Sequence, residues 1–334
     1  MADLEDTIDR LAAVTGFSGV VRVDRGGRVE LAKAYGSAHR GWRLPNTVDT
    51  RFAVASGTKG LTALTVASLI EEGGLDLGTP ARSVLGEDLP LIDDGVTVEH
   101  LLAHRSGIGD YFDEDAIESA TDYVLPLPVH RLATTEDYLA VLDGHRQTSP
   151  PGERFAYNNG GFVVLALIAE RAGKAPFAEL VRSRVCAPAG MRDTEFLRSD
   201  EPTGRTALGY LDGEGLRTNV LHLPVRGSGD GGVYTTAADV HSLWSALYAG
   251  RIVPVDRVAE MVRPHSDVPA ESMRYGLGFW LHPTSGAVAL VGSDAGVSFR
   301  TVHDQAAGVT HTVLSNTTAG AWPVARRLDE LLTP

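Results

Sequence analysis

Within this 334-residue chain, Ser56-Gly57-Thr58-Lys59 is the segment best suited to covalent chemistry. A serine hydroxyl is a weak nucleophile until a neighbouring base takes its proton, and lysine can be that base only where burial lowers its pKa from about 10.4. Residues three apart at the start of a helix lie on one face with Cβ atoms about 5 to 6 Å apart, so the Lys59 amine is predicted to reach the Ser56 hydroxyl. The pattern from 56 to 72 is helical, and Leu61, Leu64, Ala67, Leu69 and Ile70 occupy most of its circumference. Such a helix is buried on nearly all sides, which supplies the environment an amine base requires. Its N-terminus adds unpaired N–H groups and a favourable dipole for an acyl oxyanion. The plainer alternative, a capped helix with a solvated lysine, does not suit a Lys59 with so little polar face around it.

A second pair of candidates is Tyr157 and Asn159, after Pro150-Pro151-Gly152 and just before a helical pattern at 161–172. In an extended loop, residues two apart point the same way, so both side chains can face one cleft. A phenol can pass a proton to a leaving group, and a carboxamide can hold a substrate carbonyl or amide. The structural alternative is Asn159 as helix N-cap with Tyr157 packed below it.

These residues need a scaffold, and the chain shows one. A helical pattern covers 3–13, and strand patterns at 19–23 and 29–35 flank the turn signal Asp24-Arg25-Gly26-Gly27. From about residue 73 to 213 the patterns are mostly helical, at 98–103, 135–142, 161–172 and 177–185, joined by Pro- and Gly-rich loops. Strand patterns return at 287–291, 297–303 and 309–314, followed by an amphipathic helix at 323–332. The expected class is α+β. Residues 1–75 and 214–334 form an antiparallel sheet flanked by helices, and residues 76–213 form an inserted, mostly helical region.

Ser-x-x-Lys at a helix start, followed about a hundred residues later by a Tyr-x-Asn loop, resembles the serine β-lactamase and penicillin-binding-protein superfamily. More particularly it is similar to the class C β-lactamases, the D-alanyl-D-alanine carboxypeptidases of like fold, and the related carboxylesterases. The resemblance continues in residues 51–59, in Leu101-Leu102-Ala103-His104-Arg105-Ser106-Gly107-Ile108, in Pro151-Gly152, and in residues 189–194, 231–239 and 275–279. The third motif departs from the family. Gly292-Ser293-Asp294-Ala295-Gly296 stands where relatives show Lys-Thr-Gly or His-x-Gly, which puts Ser293 at the cationic or imidazole position and Ala295 at the glycine.

The resemblance implies a β-lactamase/transpeptidase-like fold and a serine hydrolase that forms an acyl-enzyme on Ser56. Lys59 or Tyr157 would take the proton, Tyr157 would protonate the leaving group, and Asn159 would orient the acyl side chain. Ser293, Asp294 and Ala295 would line the substrate, and the oxyanion would sit between the N–H groups of Ser56 and Gly296. The substrate is a small ester, amide or β-lactam-like molecule, and no metal or organic cofactor is needed. Without a third-motif cation, an esterase, amidase or acyl transferase is expected ahead of a β-lactamase or D,D-peptidase. A non-catalytic binding protein of the same fold is a further reading, disfavoured because Ser56, Lys59, Tyr157 and Asn159 are all intact.

Composition narrows the field in the same direction. A net charge of -13 argues against a nucleic-acid partner, which requires a clustered basic face. No apolar run approaches the roughly 20 residues of a membrane span, and a single Cys186 excludes an internal disulfide. The first ten residues carry four carboxylates and lack the basic, then apolar pattern of a secretory signal, so a cytoplasmic location is expected. His100 and His104 are four apart, but Leu101 stands where the zincin pattern needs Glu. Gly227-Ser228-Gly229-Asp230-Gly231-Gly232 lacks the lysine of a P-loop and reads as a tight turn.

Lysines are scarce: only Lys33, Lys59 and Lys174 occur. Lys59→Arg is therefore a clean test of the proton acceptor, because a guanidinium does not lose its proton at workable pH. The variant should lose turnover of any ester or amide substrate. Activity near the parent's in a steady-state assay would remove Lys59 from the role of base.

Overall fold

The computed structural model describes residues 4–112, 121 and 123–332. Two strands near the N-terminus, β1 (Gly19–Arg25) and β2 (Arg28–Tyr35), form a hairpin. Gly26 and Gly27 at its turn have φ of 57° and 74°, the left-handed values that two-residue hairpin turns demand and that glycine adopts without strain. Six strands follow in the last third of the chain: β3 (Ser266–Val268), β4 (Met273–Tyr275), β5 (Trp280–Leu281), β6 (Val288–Asp294), β7 (Val297–Asp304) and β8 (Val309–Ser315). All eight form one antiparallel sheet in the order β2-β1-β8-β7-β6-β5-β4-β3. The two ends of the chain meet where β1 pairs β8, from Gly19 opposite Ser315 to Arg25 opposite Val309.

Five longer helices pack on the sheet or on one another. They are α1 (Leu4–Thr15), α2 (Thr58–Glu71), α3 (Asn159–Gly173), α4 (Ala237–Tyr248) and α5 (Ala321–Leu332). Helices α1 and α5 close one face, where Ile8, Val324 and Leu328 pack on Val21, Val23 and Val313. The other face carries α2 and α4, with Leu61, Leu64, Leu243 and Trp244 against Val20, Leu290, Phe299 and Leu314. This second core continues outward through α3 into the short helices Val98–Leu102 and Phe177–Val181. It is why α2 is buried at every residue from Thr58 to Ala67. The polar Thr65 in that run returns its hydroxyl to the Leu61 carbonyl, so the burial leaves it bonded.

Three local differences from the expected pattern have physical causes. α2 starts at Thr58 rather than Ser56, because Ala55 has φ 44° and the segment Ala55–Gly57 is a 3-10 turn closed by the Gly57 N–H on the Val54 carbonyl. The pattern at 177–185 splits into α-helix Phe177–Val181 and a π-turn Arg182–Cys186. Strands β3 to β5 have three residues or fewer each, too short to show alternation. Among the described residues, no helix is long and apolar enough to cross a membrane.

Candidate active site

Ser56 sits on the 3-10 turn that leads into α2, preceded by Ala55 in the left-handed region. A non-glycine residue there costs of order 1 to 3 kcal/mol, and such strain persists only where surrounding contacts hold it. One helical turn on, Lys59 is 2% exposed. Its ammonium donates to Ser56 Oγ at 2.8 Å, to Asn159 Oδ1 at 2.7 Å and to the Asp230 carbonyl at 3.0 Å. Three donors thus meet three acceptors, one from the adjoining turn and two from distant segments, as a buried charge requires. The Tyr157 ring lies over the same ammonium, 4.9 Å from its centroid, a cation–π arrangement.

The start of α3 is positioned by several groups. Asn158 Oδ1 accepts the Gly161 N–H at 2.6 Å, so the N-cap is Asn158 rather than Asn159. Asp110 accepts the N–H of Asn159 at 2.6 Å and of Gly160 at 2.8 Å. The Asn159 carboxamide is therefore held between two partners, accepting from Lys59 and donating to the Phe112 carbonyl at 3.1 Å. Before it, His104 Nδ1 accepts the Asn158 N–H at 3.1 Å and the His104 carbonyl accepts the Ala156 N–H at 2.8 Å. The His104 ring lies 4.4 Å from that of Tyr157, whose other side stacks on Trp280 at 6.1 Å. Burial, and then the Lys59 charge, keep the His104 imidazole well below its usual pKa and hence neutral. His100 turns elsewhere: its Nδ1 accepts the Thr97 N–H in a capping box, so the two histidines do not converge.

The glycine-rich segment 227–232 is packed against this assembly. A side chain on Gly229 would overlap the Phe162 carbonyl of α3, while the Gly229 carbonyl accepts the Thr62 hydroxyl of α2 at 2.6 Å. Asp230 is carried into the site by that approach. Burial raises its carboxyl pKa, the Lys59 charge opposes the rise, and the Tyr111 hydroxyl donates to it at 2.5 Å. Neither Asp110 nor Asp230 stood out in the sequence; the density of glycines around Asp230 was the one available signal.

Strand β6 forms the remaining wall, and here the third-motif assignment is corrected. A Cβ on Gly292 would overlap the Val54 carbonyl and lie 2.9 Å from the Gly57 nitrogen, so Gly292 is the glycine at which the strand approaches the nucleophile turn. Two residues earlier, Leu290 lays its δ-carbons over Gly60, so the residue two positions before the close-approach glycine is apolar and is not Ser293. Ala295 is fully buried in the hairpin turn, with its carbonyl bonded to Asn219, and does not stand at the close approach. Gly296 has φ 70° in the same turn, and its N–H donates to Thr318 Oγ1 at 2.8 Å, so the oxyanion donor expected of it is engaged away from Ser56.

Strand register indicates a different amide. Asp294 and Val297 flank a two-residue turn and exchange hydrogen bonds, so the N–H groups of Asp294 and Gly292 point toward β7. The Ser293 N–H, one residue between, points out of β6 on the edge that β5 covers only at Val288 and Ala289. Side chains alternate as well, and Asp294 shares the face of Gly292 and Leu290. Ser56, Asn159, Asp230, Ser293 and Asp294 all line one cleft.

Asp110 provides a pH test of this arrangement. Burial, opposed by the N–H groups of Gly160, Asn159 and Phe112, raises its pKa from 3.8 to about 6. A raised carboxyl pKa means that the folded state binds the proton more tightly, so the group's contribution to stability falls as pH rises from 3.8 to about 6 and is level above. Urea midpoints of the wild type relative to Asp110→Asn should decline across that interval. A difference that is flat or rises with pH would contradict the burial of Asp110.

Comparison with known proteins places this geometry in context. The solved penicillin-binding protein of Bacillus halodurans superposes with a TM-score of 0.91 at 32% identity, covering 97% of this chain and 99% of that one. Esterase EstB of Burkholderia gladioli is 32% identical over an alignment of 319 residues that covers 83% of this chain and 78% of the esterase. A D-aminopeptidase of Brucella anthropi is 27% identical over 281 residues, 81% of this chain but only 50% of that protein. The sequence profile of the Beta-lactamase family matches residues 4–332, and the chain belongs to that family.

Proposed function

We propose that the protein is a serine hydrolase acting through an acyl-enzyme on Ser56, an esterase, amidase or acyl transferase for small molecules. The observation that carries this reading is the buried Lys59 ammonium at 2.8 Å from Ser56 Oγ, with its remaining donors occupied. For the attack Lys59 is the neutral amine: it keeps two N–H groups on Asn159 Oδ1 and the Asp230 carbonyl, and its lone pair takes the Ser56 proton as Ser56 Oγ attacks the substrate carbonyl. The C–O bond to Ser56 forms as the carbonyl becomes an oxyanion, held by the N–H groups of Ser56 and Ser293. Tyr157, packed over the Lys59 amine, relays the proton to the leaving group as the scissile bond breaks. Water or another acceptor then releases the acyl group. Asn159 acts chiefly on Lys59, whose amine its Oδ1 accepts.

The third-motif residues support the choice of substrate class. With Leu290, Ser293 and Asp294 along β6, the strand offers no cation to the carboxylate of a β-lactam or a peptide C-terminus. Weak cephalosporin turnover is expected beside efficient turnover of esters or amides without that carboxylate.

Ser56→Ala should abolish turnover of p-nitrophenyl esters and D-amino amides together with fluorophosphonate labelling, with intact mass reporting the adduct. Residual rates near wild type would sink the assignment. For Tyr157→Phe, turnover should fall about 100-fold or more, the usual worth of a positioned acid or base. An amide should lose more than an activated ester, because its poor leaving group needs the proton. Equal losses would reduce Tyr157 to shaping the site.

A further inference from the structure

The cleft beside Ser56 has an uneven charge. Two carboxylates, Asp230 and Asp294, line it, and no lysine or arginine is among the described residues that do. Asp230 is turned inward to Tyr111 and the Lys59 region. Asp294 is at the hairpin end of β6, half-buried, with one oxygen accepting the Ala295 N–H at 2.7 Å. A strand rises about 3.3 Å per residue, so Asp294 stands about 7 Å beyond Gly292 along the wall that begins at the nucleophile turn.

The same cleft is also lined by aromatic residues, Tyr111, Phe112, Tyr123 and Tyr138, which form one wall. Tyr111 and Tyr138 meet edge to face at 6.4 Å, and Phe112 and Tyr123 at 4.4 Å. The tyrosine hydroxyls are all committed within the protein, to Asp230, to the Arg226 carbonyl and to the Tyr111 carbonyl, so Tyr111 and Tyr123 offer the cleft mainly ring surface, with Tyr138 buried against Tyr111 as its backing. Asp294 acts on this wall: the Tyr138 hydroxyl is pushed well above its usual pKa by burial first and then by the charges of Asp230, Asp137 and Asp294. A carboxylate sharing a cleft with aromatic rings attracts a weakly hydrated organic cation, by its charge and by the ring quadrupoles. A divalent metal ion is a poorer match, since among the described residues no group of three or more histidine, cysteine or carboxylate ligands converges.

We infer that the cleft selects positively charged substrates: esters or amides whose ammonium group lies several bonds from the scissile carbonyl and is held by Asp294 against the Tyr111, Phe112, Tyr123 and Tyr138 wall. This rests on the acyl-enzyme reading of Ser56 and extends it from chemistry to substrate class. It makes Asp294 a specificity-determining residue.

The test uses two matched pairs. Acetylthiocholine is compared with its uncharged isostere, in which carbon replaces the quaternary nitrogen, and the p-nitrophenyl ester of ε-aminocaproic acid with that of caproic acid. In the wild type at low salt, kcat/KM for the charged member should exceed that for the neutral one by about ten-fold or more in at least one pair, the size of a partly exposed charge-assisted contact. The ratio should shrink with added salt, collapse toward one in Asp294→Asn, and be largely retained in Asp294→Glu, with fluorophosphonate labelling reporting an intact centre in each variant. Ratios at or below one in both pairs, or a preference that survives in Asp294→Asn, would overturn the inference and leave the hydrolase reading standing. Failure of the wild type to turn over any of the four esters, with no labelling of Ser56, would overturn both.

Discussion

A buried ammonium organises this molecule. Taking the Lys59 charge out of water costs several kcal/mol unless each of its donors finds an acceptor and the surroundings hold those acceptors still. Ser56, Asn159 and Asp230 supply the acceptors, from positions 3, 100 and 171 residues away in the chain. The nucleophile turn, the N-terminus of α3 and the glycine-rich segment must therefore converge on one point. Much of the surrounding detail serves that convergence. Asp110 and Asn158 tie down the first turn of α3, His104 fixes the loop before it, and Gly229 permits the contact with Phe162 that brings Asp230 into range.

The second constraint is the approach of β6 to the same turn. With the Val54 carbonyl where a Gly292 side chain would stand, the strand can lie beside Ser56 only because that residue is glycine. The sheet behind β6 holds it there: β7, β8 and β1 lie in succession beyond it, and β1 and β8 bring the two ends of the chain together. Regions far from the chemistry thus determine where one backbone amide and one carboxylate face the cleft.

Much of this was legible in the sequence. The spacing that sets Lys59 beside Ser56, the N-terminal hairpin and the long strands near the C-terminus follow from periodicities that local physics imposes. Asp110 and Asp230 were not legible because they enter from loops, where no periodicity marks which face a side chain takes. The misassignment around Ser293 has a related cause. Ser293 and Ala295 fit the cationic and glycine positions by residue count, and counting does not reveal that Gly292 is the residue that meets the Val54 carbonyl. The start of α2 at Thr58 is not legible, because nothing about an alanine announces a left-handed Ala55; that conformation belongs to the turn packed between β6 and the core.

Register connects catalysis to selectivity. A strand that slips by one residue exchanges its two faces. Here such a slip would place the Val291 or Ser293 side chain against the Val54 carbonyl, so the clash that requires Gly292 also fixes the register of β6. With the register fixed, the Ser293 amide points off the sheet edge, and Asp294, two residues on from Gly292, shares its face. Neither position can be changed independently of the other. A backbone packed this closely against the turn that carries Ser56 therefore also determines where the cleft carries its negative charge, and the proposed chemistry and the proposed choice of substrate rest on a single steric contact.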